Sequence, residues 1–405
     1  MEWKEVTLGD FMQCNPKRTI KKGQKARKIT MDLLIPHSKT IRNWNYEPYS
    51  GGAKFQNGDT IMARITPCLE NGKHAFVSIL DKGEIAYGST EYFVFCGKED
   101  VSDNDFVYYL TKTPLFRDTA IKSMVGSSGR QRAQMDVLEN LKMLVPKDIS
   151  DQRRIASILS SLDRKIELNN KINADLEEMA QAIFKNWFVD FEPFSDSKFV
   201  DSELGMIPEG WKVGRADDFY QINIGKTPPR KEHKWFSNNP ADKIWVSIAN
   251  MGNSGIFISD SSEYLTKEAV DRHNIIMVPR NTILLSFKLT VGRVAIADKE
   301  LTTNEAIARF ILSDDKYMEY LYLYLKKYDY NSLGSTSSIA TAVNSKTIKG
   351  MQMLQPSDKI IDAFHIQVNP IFEKIRSLTK ESSRLSLLRD TLLPRLMSGE
   401  LEVPE

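Results

Sequence analysis

Hydrophobic and polar positions along this chain follow two different periods. From Ser150 onward, Ile155, Leu159, Leu162, Ile166, Ile172, Leu176, Met179 and Ile183 alternate steps of four and three, with Asn169 in the seam. From Ser357 onward the alternation returns through Phe364, Val368, Ile371, Ile375, Leu378, Leu385, Leu388 and Leu392, with Ser382 in the seam. Sustained over about four heptads, this pattern predicts two long helices with coiled-coil seams, not broad globular faces. Ser150-Asp151 and Ser357-Asp358 supply an N-cap and a first-turn acid to each. Ahead of each helix lie short β-rich runs such as Glu91–Cys96 and Thr282–Phe287, split by Gly, Asn and Pro turns. Helical patches at Phe106–Thr111 and Tyr317–Lys327 interrupt them, so an α+β domain is expected before each helix.

The chain reads as a tandem repeat. Trp3-Lys4 with Val6 answers Trp211-Lys212-Val213, and Asp59-Thr60-Ile61-Met62 answers Asn281-Thr282-Ile283-Leu284. Asn71-Gly72-Lys73-His74-Ala75-Phe76 answers Val291-Gly292-Arg293-Val294-Ala295-Ile296, and Ser89-Thr90-Glu91-Tyr92-Phe93 more loosely answers Thr303-Asn304-Glu305-Ala306-Ile307. Gly126-Ser127-Ser128 with Met143-Leu144-Val145-Pro146 matches Gly334-Ser335-Thr336 with Met353-Leu354-Gln355-Pro356. Order is kept at offsets between about 208 and 222 residues, which chance does not readily produce five times.

Four segments are therefore expected: a first domain over 1–149, a central helix over 150–192, a second domain over 193–355 and a distal helix over 356–405. A helix with a narrow seam is unstable alone. The economical fold is α+β, with two similar domains separated by two long helices that form an antiparallel coiled coil; an intermolecular coiled coil is the alternative. The stretch Ile155–Ile183 makes roughly 43 Å of helix, comparable with the roughly 34 Å between DNA half-sites one turn apart.

Composition narrows the class. At 405 residues the chain holds several domains, and 41% hydrophobic with 27% charged residues is a globular balance. No apolar run approaches the roughly 20 residues of a membrane span, and MEWKEVTLGD has no signal-peptide core, so a cytoplasmic location is expected. Three cysteines, Cys14, Cys68 and Cys96, without C-x-x-C spacing, argue for reduced thiols and against zinc. The net charge of +2 says little about nucleic acid. Local clustering says more: Lys17, Arg18, Lys21, Lys22, Lys25, Arg27 and Lys28 are uninterrupted by an acid, and Lys226, Arg230, Lys231 and Lys234 form a second group.

Catalytic motifs do not emerge. Gly225-Lys226-Thr227 lacks the upstream glycine of a P-loop and runs into Pro228-Pro229. Asn369-Pro370-Ile371-Phe372 lacks the second proline of an amino-methyltransferase motif and falls inside the helical seam. The five histidines form no metal-ligand or general-base spacing, so neither a catalytic nor a metal site is expected.

Trp187-Phe188-Val189-Asp190-Phe191-Glu192-Pro193 resembles the central region of type I restriction–modification specificity subunits. Leu392-Leu393-Pro394-Arg395-Leu396-Met397-Ser398-Gly399-Glu400-Leu401 resembles the matching distal region. Ile207-Pro208-Glu209-Gly210-Trp211, then Gly225-Lys226-Thr227-Pro228, Trp235 and Ile244-Trp245-Val246-Ser247-Ile248, is similar to a frequent pattern of the second target-recognition domain. The first domain lacks that Gly-x-Thr-Pro and double-Trp pattern. The resemblance implies a non-catalytic subunit whose two domains each bind half of a bipartite, asymmetric DNA site. It further implies helices that dock two modification (methyltransferase) subunits, joined by restriction subunits. S-adenosylmethionine, ATP and Mg would then belong to those partners and no cofactor to this chain. A single-chain restriction or modification enzyme with an unrecognised site, and a coiled-coil adaptor unrelated to DNA, are the competing readings.

A DNA-reading domain needs cations for phosphates and amide, hydroxyl or guanidinium groups for base edges. In the first domain Ser127, Ser128, Arg130 and Gln131 crowd one glycine-containing stretch, with Arg64, Lys73 and His74 as further candidates. In the second, the candidates are Lys226, Thr227, Arg230, Lys288, Arg293 and Ser335.

Overall fold

A computed structural model describes residues 1–253, 255–333 and 343–403. The chain divides into two compact units, Met1–Leu168 with Glu381–Glu405, and Asn169–Lys380.

In the first unit, Trp3–Thr7 pairs antiparallel with Lys142–Pro146, bringing the two ends of the domain together. The main sheet runs Met12–Cys14, Tyr92–Gly97, Thr60–Ala63, His74–Phe76, all antiparallel. Both faces of its central strands, Thr60–Ala63 and Tyr92–Gly97, are covered, and these two read as near-continuous apolar runs. Met62, Phe93 and Phe95 join the larger cluster, which contains the helix Asn104–Leu110 and the residues Ile155, Ala156, Leu159, Leu393, Leu396 and Met397 of the long helices. Ile61, Ala75, Tyr92 and Val94 face a second cluster. The smaller sheet, in the order Asn45–Pro48, Lys25–Ile29, Ala86–Gly88, Lys54–Phe55, holds one parallel pair, Lys25–Ile29 beside Ala86–Gly88.

The second unit repeats this plan. Lys212–Arg215 pairs with Gln352–Gln355. The main sheet runs Gln221–Ile224, Ile307–Ile311, Ile283–Ser286, Val294–Ala297, Phe257–Ile258. The smaller sheet again holds one parallel pair, Lys243–Val246 beside Thr302–Thr303. Strand register corrects two of the sequence matches by one residue. Ile61 faces Ala75 across the first sheet, and the residue facing Ala295 in the second is Leu284, not Ile283. Likewise Tyr92 pairs with Ala63 at the place where Ile307 pairs with Ser286, so Tyr92 answers Ile307 and not Ala306. A one-residue slip turns a side chain to the opposite face. Only the corrected alignment puts Leu284, Ala295 and Ile307 in one cluster and Leu285, Ala308 and Phe310 in the other, as in the first unit.

The two long helices are Ile149–Phe188 and Asp358–Met397, 40 residues each. The first starts two residues earlier than a Ser150 cap predicts: Asp148 O accepts from Asp151 N and Gln152 N, making Asp148 the capping position. Ser357 caps the second as expected, its carbonyl accepting from Ile360 N and Ile361 N. Within each unit the helices run antiparallel. Asp163 meets Arg389 and Lys165 meets Glu381 in the first, and Asn173 meets Thr379 while Phe184 meets Phe364 in the second.

The seam is broader than a heptad pattern predicts. Met179 and Leu388 are 53% and 46% exposed, while their neighbours Ala180 and Arg389 are buried. A straight helix drifts from a strict seven-residue repeat, and here the domain supplies a further partner that draws the buried face round. Phe188 shows this: its ring lies 4.8 Å from Phe364 on the other helix, and 4.8 and 5.7 Å from Tyr320 and Trp211 of the domain. Asn169 is fully buried, as its seam position predicts.

His74, a sequence candidate for DNA contact, is buried instead, stacked on Tyr108 with centroids 4.7 Å apart and hydrogen-bonded to Thr111 Oγ1 at 2.8 Å. It sits on a strand whose other residues are core-forming, so the pleat turns it inward. Burial, and then the nearby cations Lys112 and Arg117, push its imidazole well below the ordinary 6.5. The unfolded chain therefore takes up a proton below pH 6.5 that the folded chain refuses. Stability of the first unit is expected to fall as pH drops below that value, levelling off once the folded imidazole also protonates. Urea midpoints at pH 7.5 and 5.5 test this: His74→Gln flattens the difference, and an undiminished difference refutes the assignment.

Candidate nucleic-acid interface

In the first unit, four of the sequence candidates, Ser127, Ser128, Arg130 and Gln131, lie on one hairpin, with Arg64 at its base. Val125 and Arg132 exchange backbone hydrogen bonds of 3.0 and 2.9 Å, and Gln131 O accepts from Thr66 N. These contacts close the base of the 126–131 loop and leave its tip in solvent. Gly126 and Gly129 hold φ of 132° and 78°, backbone that side chains rarely adopt, so glycine shapes this tip. Beneath it, Glu91 receives both Arg64, at 3.0 Å, and a bidentate contact from Arg132. Those bonds, chiefly from Arg132, hold the Glu91 carboxyl below its ordinary range. Ser127, Ser128 and Arg130 stand exposed, and among the described residues their side chains and that of Gln131 make no internal hydrogen bond or ion pair. Arg64 is thus engaged in the loop's foundation, while Arg130 at the tip is uncommitted. Lys73 lies apart, its ammonium 2.6 Å from Met31 O.

The basic stretch near the N-terminus divides in the same way. Arg18 is bidentate to buried Asp59, Arg27 bonds Asp81 and Ile79 O, and Lys28 pairs with Glu47. Lys17, Lys21, Lys22 and Lys25 remain exposed without a side-chain partner among the described residues. Sequence reasoning missed what lies beside them. Tyr46 is the cross-strand partner of Arg27, and Trp44 precedes it by two residues, so both aromatics share Arg27's face. They are 63% and 42% exposed, and the Arg27 guanidinium lies 4.8 Å from the Trp44 ring. Lys25, Arg27, Trp44 and Tyr46 line a groove of about 580 Å³. The spacing of Trp44 and Tyr46 carried the same-face signal. Their exposure did not follow from it, because aromatic residues in strands usually cover a core.

In the second unit most candidates fasten the domain. Gly225 ends a strand against Thr303 and Asn304, where a Cβ would lie 1.9 Å from Asn304 O. Lys226 donates to His273 O at 2.6 Å, and Thr227 donates to Glu305. Arg230 donates through Nη1 to both carboxylate oxygens of Glu263 and lies 4.2 and 4.5 Å from the Phe236 and Trp245 rings. Trp245 Nε1 donates to Lys226 O, and Trp235 is buried, so the double-Trp pattern is a packing device. Arg293 donates to Ile248 O at 2.8 Å. Lys288 is exposed at the tip of the turn between Ile283–Ser286 and Val294–Ala297, its ammonium 5.7 Å from the Phe287 ring and, among the described residues, without a hydrogen bond or ion pair. Ser335 lies outside the described residues.

Among the described residues, no group of three His, Cys, Asp or Glu side chains is placed to hold a metal ion, and no helix is long and apolar enough to cross a membrane. The free groups are instead cations, hydroxyls, an amide and aromatic rings on loops and an edge strand. That is the chemistry of phosphate and base-edge contact.

The chain is similar to known proteins over most of its length. A family model for the type I restriction modification DNA specificity domain matches residues 1–178 and again 208–365, once in each repeat. The HindI specificity subunit of Haemophilus influenzae is 28% identical over 99% of this chain and 100% of its own. The MjaIX specificity subunit of Methanocaldococcus jannaschii is 31% identical over 75% of this chain and 70% of its own. A crystal structure of a type I restriction–modification S subunit from M. genitalium superposes with a TM-score of 0.51 at 15% identity, covering 98% of this chain and 96% of the other, which shows a shared fold. With both repeats matched and relatives spanning the chain, this protein belongs to the type I restriction–modification DNA specificity family.

Proposed function

We propose that this chain is the DNA sequence-specificity subunit of a type I restriction–modification enzyme, and that each α+β domain contacts one half of a bipartite, asymmetric site. The observation that carries the reading is the duplicated domain plan, with a specificity-domain match on each copy and different residues in the matching stretches 126–131 and 334–338 of the sequence. Two alike but non-identical readers suit a target with two unlike halves. The chain performs no catalysis in this reading. Its antiparallel helices act as a coiled-coil spacer and as the docking surface for two modification subunits, which restriction subunits join. S-adenosylmethionine, ATP and Mg are bound by those partners, in the cytoplasm.

Co-expression with the cognate modification subunit, followed by mapping of methylated bases across a genome, tests the proposal. A bipartite methylated motif that disappears when this chain is deleted is the expected result. Absence of methylation, together with absence of DNA binding with and without the partner, sinks it.

The 126–131 loop gives a sharper prediction. Among the described residues the Arg130 guanidinium at the hairpin tip has no hydrogen bond or ion pair, so Arg130→Ala is expected to weaken binding by about 1–3 kcal/mol and to relax preference at one position of the first half-site. Competition binding against single-base variants of the mapped site measures both. Uniform weakening across all variants would assign Arg130 to a phosphate instead.

A further inference from the structure

Leu289 is the least expected side chain on the surface of the second unit. It is 99% exposed, against 75% for Ile366, the next most exposed large apolar residue among the described residues. It also adopts φ 61°, in the left-handed region that disfavours a bulky L-residue. Neither feature helps the chain fold: the side chain covers nothing, and asparagine or glycine would hold this backbone with less strain.

The turn that carries it is firmly built. Ser286, fully buried, donates through Oγ to Thr290 O, accepts there from Arg293 N at 3.0 Å, and accepts through its carbonyl from Gly292 N at 3.0 Å. Thr290 N closes on Lys288 O at 2.7 Å. Below the tip, the Tyr330 ring packs against Gly292, and Arg293 is tied to Ile248 O. The leucine therefore projects from a rigid support flanked by the free ammonium of Lys288 and the exposed Thr290.

We propose that Leu289 is a wedge that inserts between two base pairs of the DNA half-site read by the second domain, with Lys288 holding an adjacent phosphate. An apolar side chain placed in this way partly unstacks a base step and bends the duplex, so a site is favoured where unstacking is easy. The setting favours DNA over a protein partner. Protein docking surfaces bring contiguous apolar area, whereas this turn offers one protruding aliphatic residue beside exposed Lys288 and Thr290, with Val291 at 37% exposure the other exposed large apolar residue of the turn. The inference rests on the DNA-reading function proposed above.

The test uses the full chain assembled with modification subunits and a duplex carrying the mapped bipartite site, with 2-aminopurine placed in turn at each adenine of the second half-site. Wild-type binding is expected to raise fluorescence at one step, reporting unstacking. Leu289→Asn, which suits the positive φ, is expected to leave the thermal midpoint unchanged or higher, abolish the fluorescence rise and weaken binding about tenfold or more. Lys288→Ala is expected to weaken binding and lower its salt dependence while keeping the fluorescence rise. Wild-type affinity and fluorescence in Leu289→Asn overturn the wedge, and so does a loss of subunit assembly with DNA contact intact. If the wild-type complex neither methylates nor binds any mapped site, the functional reading itself fails and the wedge falls with it.

Discussion

Asp163→Ala is expected to destabilise the first unit by about 3–5 kcal/mol, the cost of leaving a buried charge without its partner. Asp163 and Arg389 are each 7% exposed at the side chain and lie 2.6 Å apart, joining the two long helices within that unit. Tyr109, from the domain's own helix, donates to the other oxygen of the same carboxylate at 2.5 Å. Removing the carboxylate strands both donors. Arg389 keeps Asp390, at 2.8 Å, but that residue is 59% exposed, and a solvated pair recovers little. The triple replacement Asp163→Leu, Arg389→Met and Tyr109→Phe should regain most of the loss, because it leaves no donor stranded and well-packed apolar side chains often match a buried ion pair. Urea unfolding followed by hydrogen exchange in the Tyr92–Gly97 strand measures it. A shift for Asp163→Ala below about 1 kcal/mol would mean that the pair behaves as a hydrated surface contact.

Phe188→Ala should be of similar size in the second unit, about 3–5 kcal/mol, through a different mechanism. Phe188 is 5% exposed and its ring packs against Phe184, Trp211, Tyr320 and Phe364. Truncation removes contacts to both helices and to the domain at once, and the stiff rings around it cannot collapse to fill the space. Phe188→Leu should cost markedly less, since it restores most of the volume. Equal losses for Ala and Leu would show that ring geometry rather than volume dominates the site.

The contrast between these two positions explains what was legible. The seams of both long helices announced themselves in the order of residues, because a helix repeats its facing positions every three or four steps whatever it packs against. The tandem repeat was equally plain. The one-residue slip at Ile61 was not: matching letters cannot tell Ile283 from Leu284, and only hydrogen-bond register shows which one faces Ala295. For Met179 and Leu388, the heptad pattern named the helix but missed its buried face, because the domain competes for that face.

Candidate DNA contacts were less legible still. Basic and polar residues could be listed, but a charge's role depends on whether an acid or carbonyl meets it. Arg18, Arg27, Arg64 and Arg230 are met by Asp59, Asp81, Glu91 and Glu263, whereas among the described residues no acid or carbonyl meets the side chains of Arg130 and Lys288. Most of those partners lie dozens of residues away, so no local pattern announces them.

By itself, then, the sequence determined that this protein is a duplicated α+β chain with two long seamed helices, since periodicity and repetition are properties of residue order. Only the tertiary structure decided which charges are spent inside the fold, which strand faces point inward, and that Trp44, Tyr46 and Leu289 stand in solvent. Those outcomes depend on partners brought together across the chain, and on a burial that local order does not encode.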